Sequence, residues 1–339
     1  MSRTLEVFFL NPMIPTSLIP SSVDLFFRRN DPKDVRLGEI VSRWDGSKSY
    51  DESLKNQDVV ILGWPDDRGI TLNNGRPGAK EAPDAIRKAL YKLTPGIDQT
   101  FKNLKILDLG NLKTDSELEK DHENAAKVVE KISGKGIVPI ILGGGNDFAY
   151  ADIVGFYRAS QGQKRLGVIN IDAHLDVRDL RQGLTSGTPY FRLLEGASPP
   201  LQGQDFIEFA IQPHRNTLDY YTYVKQKGVE VIFLENVQAR GARKVFFHAL
   251  SRLTQTCDLV AVSLDMDSVK QADAPGVSAP SPNGLSAEDV EEIAHLIGGE
   301  PKVKLFSIYE VCPKFDRDNQ TSQLAASVVW HFLKSTAQR

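Results

Sequence analysis

Eight short apolar runs, each closed by a polar or glycine turn and most followed by an amphipathic stretch, constrain this chain more than any other feature. They are 58–64 (DVVILGW), 105–111 (KILDLGN), 137–143 (IVPIILG), 166–172 (LGVINID), 206–212 (FIEFAIQ), 229–235 (VEVIFLE), 258–265 (DLVAVSLD) and 303–310 (VKLFSIYE). The runs are β-branched and nearly continuous in apolarity, as strands covered on both faces must be. Helix-period stretches lie between most of them, at 115–133, 237–253 and 286–297, with a last one at 320–336. Ser286-Ala-Glu-Asp supplies a helix-start signal for the third. Strands alternating with helices predict an α/β fold built on a parallel sheet. Periodicity does not separate an open sandwich from a closed eight-stranded barrel.

A chain of 339 residues is long enough for one large or two ordinary domains. We read one domain over 56–339. Residues 1–55, irregular and rich in Pro and Ser early and in charge later, form an extension packing on that body. Forty-one basic against 44 acidic side chains leave a net charge of -3, and no basic run is interleaved with aromatics, so no nucleic-acid partner is expected. The apolar run in Met1–Leu10 is too short for a signal peptide, and no stretch approaches the roughly 18–20 apolar residues of a membrane helix. The expectation is a cytoplasmic protein with no membrane partner. Cys257 and Cys312 form no zinc or redox spacing and read as buried thiols in a reducing compartment.

Polar residues cluster at the ends of two runs. The fourth continues as Asn170-Ile-Asp172-Ala-His174-Leu-Asp176, and the seventh ends Ser263-Leu-Asp265-Met-Asp267. At spacing two on an extended chain, the members of each cluster project to one side. C-terminal strand ends are where parallel α/β sheets place ligand sites. Four converging carboxylates repel strongly unless a cation compensates them. Four carboxylates and one imidazole suit two hard or borderline divalent ions, and geometry-tolerant Mn2+ fits better than zinc. Two such ions about 3.5–4 Å apart lower the pKa of a shared water toward neutrality. Alone, an Asp-x-Asp after a strand also reads as a helix cap or a salt-bridge partner. Two clusters on different strand ends favour the metal reading.

These motifs resemble those of the arginase/agmatinase/formimidoylglutamase (ureohydrolase) family. Its Asp-Ala-His-x-Asp signature stands at 172–176, and its Ser-x-Asp-x-Asp signature at 263–267, followed by Ala274-Pro-Gly-Val-Ser-Ala-Pro280. Its Gly-rich turn stands as Gly143-Gly-Gly-Asn146-Asp147, and its early glycine-rich segment as Gly75-Arg-Pro-Gly-Ala79, leading to Pro83-Asp-Ala-Ile-Arg87. A late Glu matches Glu310 in Tyr309-Glu310-Val-Cys-Pro313, so the resemblance covers 58–313. It implies a three-layer α/β/α fold with an open, eight-stranded parallel sheet, two Mn2+ ions, a small-molecule substrate and a homo-oligomer. By motif, Asp172 and Asp265 would bridge both metals, Asp176 would bind one, and His174 and Asp267 would complete the other site. Glu310 would hold a planar cationic amidine or guanidine over the bridging hydroxide. The implied reaction is hydroxide attack on the central carbon and collapse of a tetrahedral intermediate. A metal-site carboxylate, Asp176, would deliver a proton to the departing amine.

Most relatives carry His where this chain has Asn146. Asn Oδ1 and His Nδ1 both lie three bonds from Cα, so Asn146 can serve as a metal ligand of weaker donor strength. Capping the following helix is the alternative role.

The segment Val177-Arg178-Asp179-Leu-Arg181-Gln-Gly-Leu-Thr-Ser186-Gly187-Thr188-Pro189 should set substrate choice. Arginine-cleaving relatives carry a His just after the equivalent Ser-Gly and an Asn where Arg178 stands, whereas no His occurs here between 175 and 213. The pattern resembles the formimidoylglutamase branch, which implies hydrolysis of N-formimidoyl-L-glutamate to L-glutamate and formamide in histidine degradation. That substrate carries two carboxylates, one of which a guanidinium can bind bidentately. Arg178 is the first choice, ahead of Arg181 and Arg215, and a salt bridge from Arg178 to a neighbouring Asp is its alternative. Ser186 and Gly187 complete the substrate-binding set. His122, His248, His295 and His331 lie on helical patterns and read as surface or packing residues, while His214 is a pocket-rim candidate. Trp64 and Tyr309 read as core or pocket wall. Two other readings stay open: a ureohydrolase acting on agmatine, guanidinobutyrate or arginine, and a degenerate, non-catalytic binding module.

Overall fold

The computed structural model describes residues 18–98, 100–115, 117–196 and 200–339. The Met1–Leu10 run and the first part of the expected extension lie outside the described residues. Each of the eight apolar runs forms a strand. In chain order with two earlier short strands, they are β1 (Leu18–Ile19), β2 (Ser42–Arg43), β3 (Val59–Trp64), β4 (Ile106–Leu112), β5 (Val138–Gly143), β6 (Leu166–Ile171), β7 (Phe206–Ile211), β8 (Glu230–Phe233), β9 (Leu259–Asp265) and β10 (Val303–Tyr309).

They make one open sheet in the order β1-β4-β3-β5-β10-β9-β6-β7-β8, with β2 also paired to β4. The barrel alternative is thereby excluded. The expected count of eight parallel strands needs correction, because among the described residues the sheet has ten strands and β1 runs antiparallel to β4. The additions come from the N-terminal segment, where two-residue strands are too short to leave any periodic signal. Gly110 accommodates the first of them: its φ is +89°, and a Cβ there would lie 2.1 Å from the Ile19 carbonyl oxygen.

Every residue of β3, β5, β6 and β7 is buried. Alternate side chains feed two separate cores, Val59 and Ile61 going to one face and Val60 and Leu62 to the other. The first core is closed by helices Ala82–Leu90, Ala242–Thr256, Ala287–Gly299 and Gln320–Thr336. The second is closed by helices Leu118–Ser133, Ala149–Ala159, Pro189–Glu195 and Leu218–Lys227. Burial contributes about 1.5–3 kcal/mol for each large apolar side chain. The result is the three-layer sandwich expected from strands apolar on both faces.

Helix boundaries follow local chemistry. Ser286 caps its helix by a reciprocal capping box with Asp289. The stretch expected as one helix over 237–253 is two, Leu234–Arg240 and Ala242–Thr256, broken at Gly241 with φ +86°. Glycine takes that left-handed conformation without the Cβ clash that other residues suffer, and so it ends the first helix. No described helix is long and apolar enough to cross a membrane.

Candidate metal centre and substrate pocket

Four adjacent strands in the middle of the sheet, β5, β10, β9 and β6, each deliver a polar residue at or just past the C-terminal end. After β5 the chain turns through Gly143–Gly145 to Asn146, and after β6 it runs through Asp172, His174 and Asp176. Asp265 closes β9, with Asp267 two residues on, and Glu310 follows β10. Because β6 is placed three positions from β5, with β9 and β10 filling the gap later, the centre lies at a crossover of the sheet, where α/β proteins bind ligands.

The turn after β5 must pass very close to its neighbour: a Cβ at Gly144 would lie 2.0 Å from the Asp66 carbonyl oxygen. Two site residues other than glycine have left-handed backbone, Asp176 at φ +46° and Glu310 at φ +65°. Such conformations cost on the order of 1–3 kcal/mol and survive where the surroundings fix them. Here the Glu310 N–H donates to Gly144 O at 2.9 Å. Asn216 clamps the β6 loop by accepting from Leu175 N–H at 2.9 Å while its own amide donates to Ala173 O and Gln212 O.

Side-chain geometry brings all six expected metal residues together. His174 Nδ1 lies 3.2 Å from Asp267 Oδ2 and 3.4 Å from Asp172 Oδ1. Asn146 Nδ2 donates to Asp176 Oδ2 at 2.7 Å and approaches Asp172 Oδ2 at 3.5 Å. Two groups have ligand atoms within 4.8 Å of one another, Asp172 with His174 and Asp267, and Asp172 with Asp176 and Asp265. Asp172 belongs to both, as a bridging ligand would. Asp265 falls only in the second, and its Oδ1 accepts the Asp267 N–H at 2.8 Å.

Electrostatics make the same point. Burial, then the neighbouring Asp267, pushes the Asp172 carboxyl up to about 6. Burial and then adjacent carboxylates push Asp176 and Asp265 well above the ordinary range. Glu310 is pushed up by burial too, against the opposing Asn146 N–H bond. For His174, burial favours the neutral ring, but Asp267 and Asp172 outweigh it and raise the imidazole well above its usual value. Without a cation the cluster therefore retains protons. Among the described residues, buried Asp267 Oδ1 and Asn146 Oδ1 have no hydrogen-bond partner, an omission that normally needs explaining. Two divalent cations fit this donor set and these idle oxygens. Rotating the Asn146 amide about Cβ–Cγ would turn its oxygen toward the Asp176 side.

The cluster forms the floor of a cavity of about 270 Å3. Its walls include Arg76, Arg178, Ser186, Arg215, Asn216, Tyr220 and Ser278. Arg178 stands at the mouth, 5.6 Å over the Tyr220 ring, and its backbone N–H donates to Gly187 O at 2.8 Å. Among the described residues Arg178 makes no ion pair, contrary to the salt-bridge alternative, and the neighbouring Asp179 pairs instead with Arg181 at 2.6 Å. Arg181 is outside the cavity wall, as is exposed His214, so the pocket-rim expectation for His214 is corrected. Gly187 does not line the cavity either; it holds Arg178, whose Cδ would be 2.7 Å from a Cβ at that position. Ser186 lines it and accepts from Asn73 Nδ2 at 3.1 Å. The capping role for Asn146 is not seen, since Gly145 and Phe148 occupy the N-cap positions and the Asn146 amide donates to Asp176 instead.

Sequence reasoning missed several contributors. Ser278 Oγ–H donates to Glu310 Oε2 while the Asn146 N–H donates to Oε1 at 2.9 Å, which fixes that carboxylate from both sides. Arg76 holds the Ser278 segment through its bonds to Val277 O at 2.5 Å and Ser278 O at 3.2 Å. Glu208, buried in β7, accepts at 2.9 Å from Asn170 Nδ2, which also donates to Asp172 Oδ2 at 3.3 Å. Ser278 and Arg76 were visible inside motif segments. A lone Glu in an otherwise apolar run was the only signal for Glu208.

An α/β sandwich with paired carboxylate clusters over its central strand ends defines the class of binuclear metal hydrolases. Within that class the chain belongs to the arginase family, whose model matches residues 57–334. A formimidoylglutamase from Staphylococcus aureus (strain bovine RF122 / ET3-1) is 35% identical over 305 residues, covering 90% of this chain and 94% of the relative. The crystal structure of Trypanosoma cruzi formiminoglutamase with Mn2+2 superposes with a TM-score of 0.80 at 32% identity, over 90% of this chain and 99% of that one. The formimidoylglutamase from Bacillus subtilis gives 0.81 at 27% identity, over 91% and 93% of the two chains.

Proposed function

We propose that this chain hydrolyses N-formimidoyl-L-glutamate to L-glutamate and formamide, using two Mn2+ ions held by Asp172, His174, Asp176, Asp265, Asp267 and Asn146. The observation that carries the reading is a pocket with a carboxylate floor and, at its mouth, an arginine free of any carboxylate partner among the described residues. An amidinium group is drawn to the floor and a substrate carboxylate to Arg178, so the pocket orients a molecule that has both. The formimidoylglutamases among its relatives support the same substrate.

When bound, the ions supply a water of lowered pKa and polarise the carbon it attacks. The protein's own residues do the rest. Glu310, anchored by Ser278 and by the Asn146 N–H, presents its carboxylate to the amidinium N–H groups. Asp176, on the cavity floor beside Asp172, is assigned to take up a proton and deliver it to the departing glutamate nitrogen. One C–O bond forms and the bond from the formimidoyl carbon to the glutamate nitrogen breaks, which leaves an amine and formamide. Ser186 holds the loop behind Arg178.

A catalytic unit over 56–339, with the preceding segment packed on it, belongs to this reading, as do a cytoplasmic location and a homo-oligomer. The test is a substrate panel scored by product with added Mn2+. Formamide from N-formimidoylglutamate is expected. Urea from agmatine, guanidinobutyrate or arginine, without formamide, would overturn the substrate assignment.

A further inference from the structure

Behind the metal loop lies a buried charged relay that the reaction above does not use. His122, on the helix Leu118–Ser133, is 1% exposed, and its Nε2 lies 2.7 Å from Asp147 Oδ2. On the other side of the ring, Arg192 Nη1 lies 3.0 Å from His122 Nδ1. A guanidinium only donates, so Nδ1 must accept and the ring proton must sit on Nε2, donating to Asp147. The ring is thereby held in one tautomer. Its ring packs edge-on against Phe148 with centroids 4.6 Å apart, and Arg192 lies 3.4 Å over the Tyr150 ring.

The relay joins two parts of the site. Asp147 follows Asn146 in the turn after β5, and Arg192 lies on the helix Pro189–Glu195, immediately after the substrate loop. Space is reserved for the Asp147 carboxylate: a Cβ on Gly69 or Gly145 would lie 2.1 or 2.4 Å from its Oδ1. Gly69 in turn accepts the Ser186 N–H through its carbonyl at 3.0 Å.

We propose that His122 is a positioning residue which, bridging Arg192 and Asp147, fixes the turn that aims Asn146 and ties it to the substrate loop. The inference rests on the reading of Asn146 as a donor to the ion beside Asp176. Neighbours of this kind orient ligands, and their loss typically costs about 10–100-fold in metal affinity.

Two substitutions divide the ring's functions. In His122→Gln the side-chain amide nitrogen falls where Nε2 was, so donation to Asp147 survives. In His122→Asn the oxygen falls where Nδ1 was, so only the link to Arg192 survives. Manganese titration of metal-free protein reads two dissociation constants per chain, alongside thermal melting to confirm folding. The expected result is that His122→Asn weakens the looser ion about tenfold and leaves the tighter one unchanged, while His122→Gln stays close to wild type. Asp147→Asn, isosteric with the native residue, provides a second arm and should loosen the same ion. Unchanged affinities in folded His122→Asn and Asp147→Asn, or equal weakening of both ions in all three variants, would overturn the proposal. Fewer than two ions in wild type would instead overturn the binuclear reading beneath it.

Discussion

An amide oxygen is a weaker donor than imidazole toward a transition metal, and Asn146 stands 2.7 Å from Asp176 with an idle oxygen of its own. The ion on that side should therefore exchange more readily than the one beside His174 and Asp267. Asn146→His is expected to tighten the looser ion, imidazole being the stronger donor, as read by manganese titration. Equal affinities in both forms would remove Asn146 from the coordination sphere. Away from the centre, Asp152 is pushed up to about 7 by burial, although Trp64, Ser307 and Tyr309 all donate to it. Its folded pKa exceeds its unfolded value of about 3.9, so the folded state holds this proton more tightly. The stability it adds is complete below about pH 4 and is lost as pH rises through 7. Metal-free wild type should lose melting temperature between pH 5 and pH 8, and Asp152→Asn should flatten that decline. Parallel profiles would contradict the assignment. The spacing-two carboxylates were legible in the sequence because a β-strand has period two. Ser278 stood inside a motif segment, but its bond to Glu310 was not legible, nor were Glu208 and the His122–Asp147 pair, since contacts between residues distant in the chain leave no local pattern.

At the scale of elements, the strands were read within a residue or two at most boundaries, because burial on both faces leaves nearly unbroken apolar runs. Gly241 misled the helix assignment, since apolar periodicity continues across it while the backbone does not. The loop from Val177 to Thr188 carries the specificity prediction. Arg178 is presented at the pocket mouth by the bond from its N–H to Gly187 and by contact with Tyr220. Arg178→Ala should raise KM for N-formimidoylglutamate by roughly tenfold to a hundredfold, in line with about 1.5–3 kcal/mol for a hydrogen bond to a charged group, with a smaller change in kcat. An unchanged KM would remove Arg178 from the substrate site. The same loop shows why Arg181 was a poor candidate: two residues from Asp179, it pairs locally and remains 88% exposed.

For the molecule as a whole, the sheet extends beyond the eight legible strands. β1 and β2 both add to β4, near where Arg87 and Ser21 converge on buried Asp108. The centre sits far from that edge, over strands β5, β10, β9 and β6. The family signatures showed which residues gather there. The motifs also implied the asymmetry, an imidazole on one side and an amide on the other, and the distances place Asn146 beside Asp176 and His174 beside Asp267. The most direct measurement follows formamide release from N-formimidoylglutamate while metal-free protein is titrated with Mn2+. The account predicts two ions per chain, one tight and one loose, and full turnover only once the looser position fills. Absence of formamide at two bound ions per chain, or saturation below one ion per chain, would contradict it.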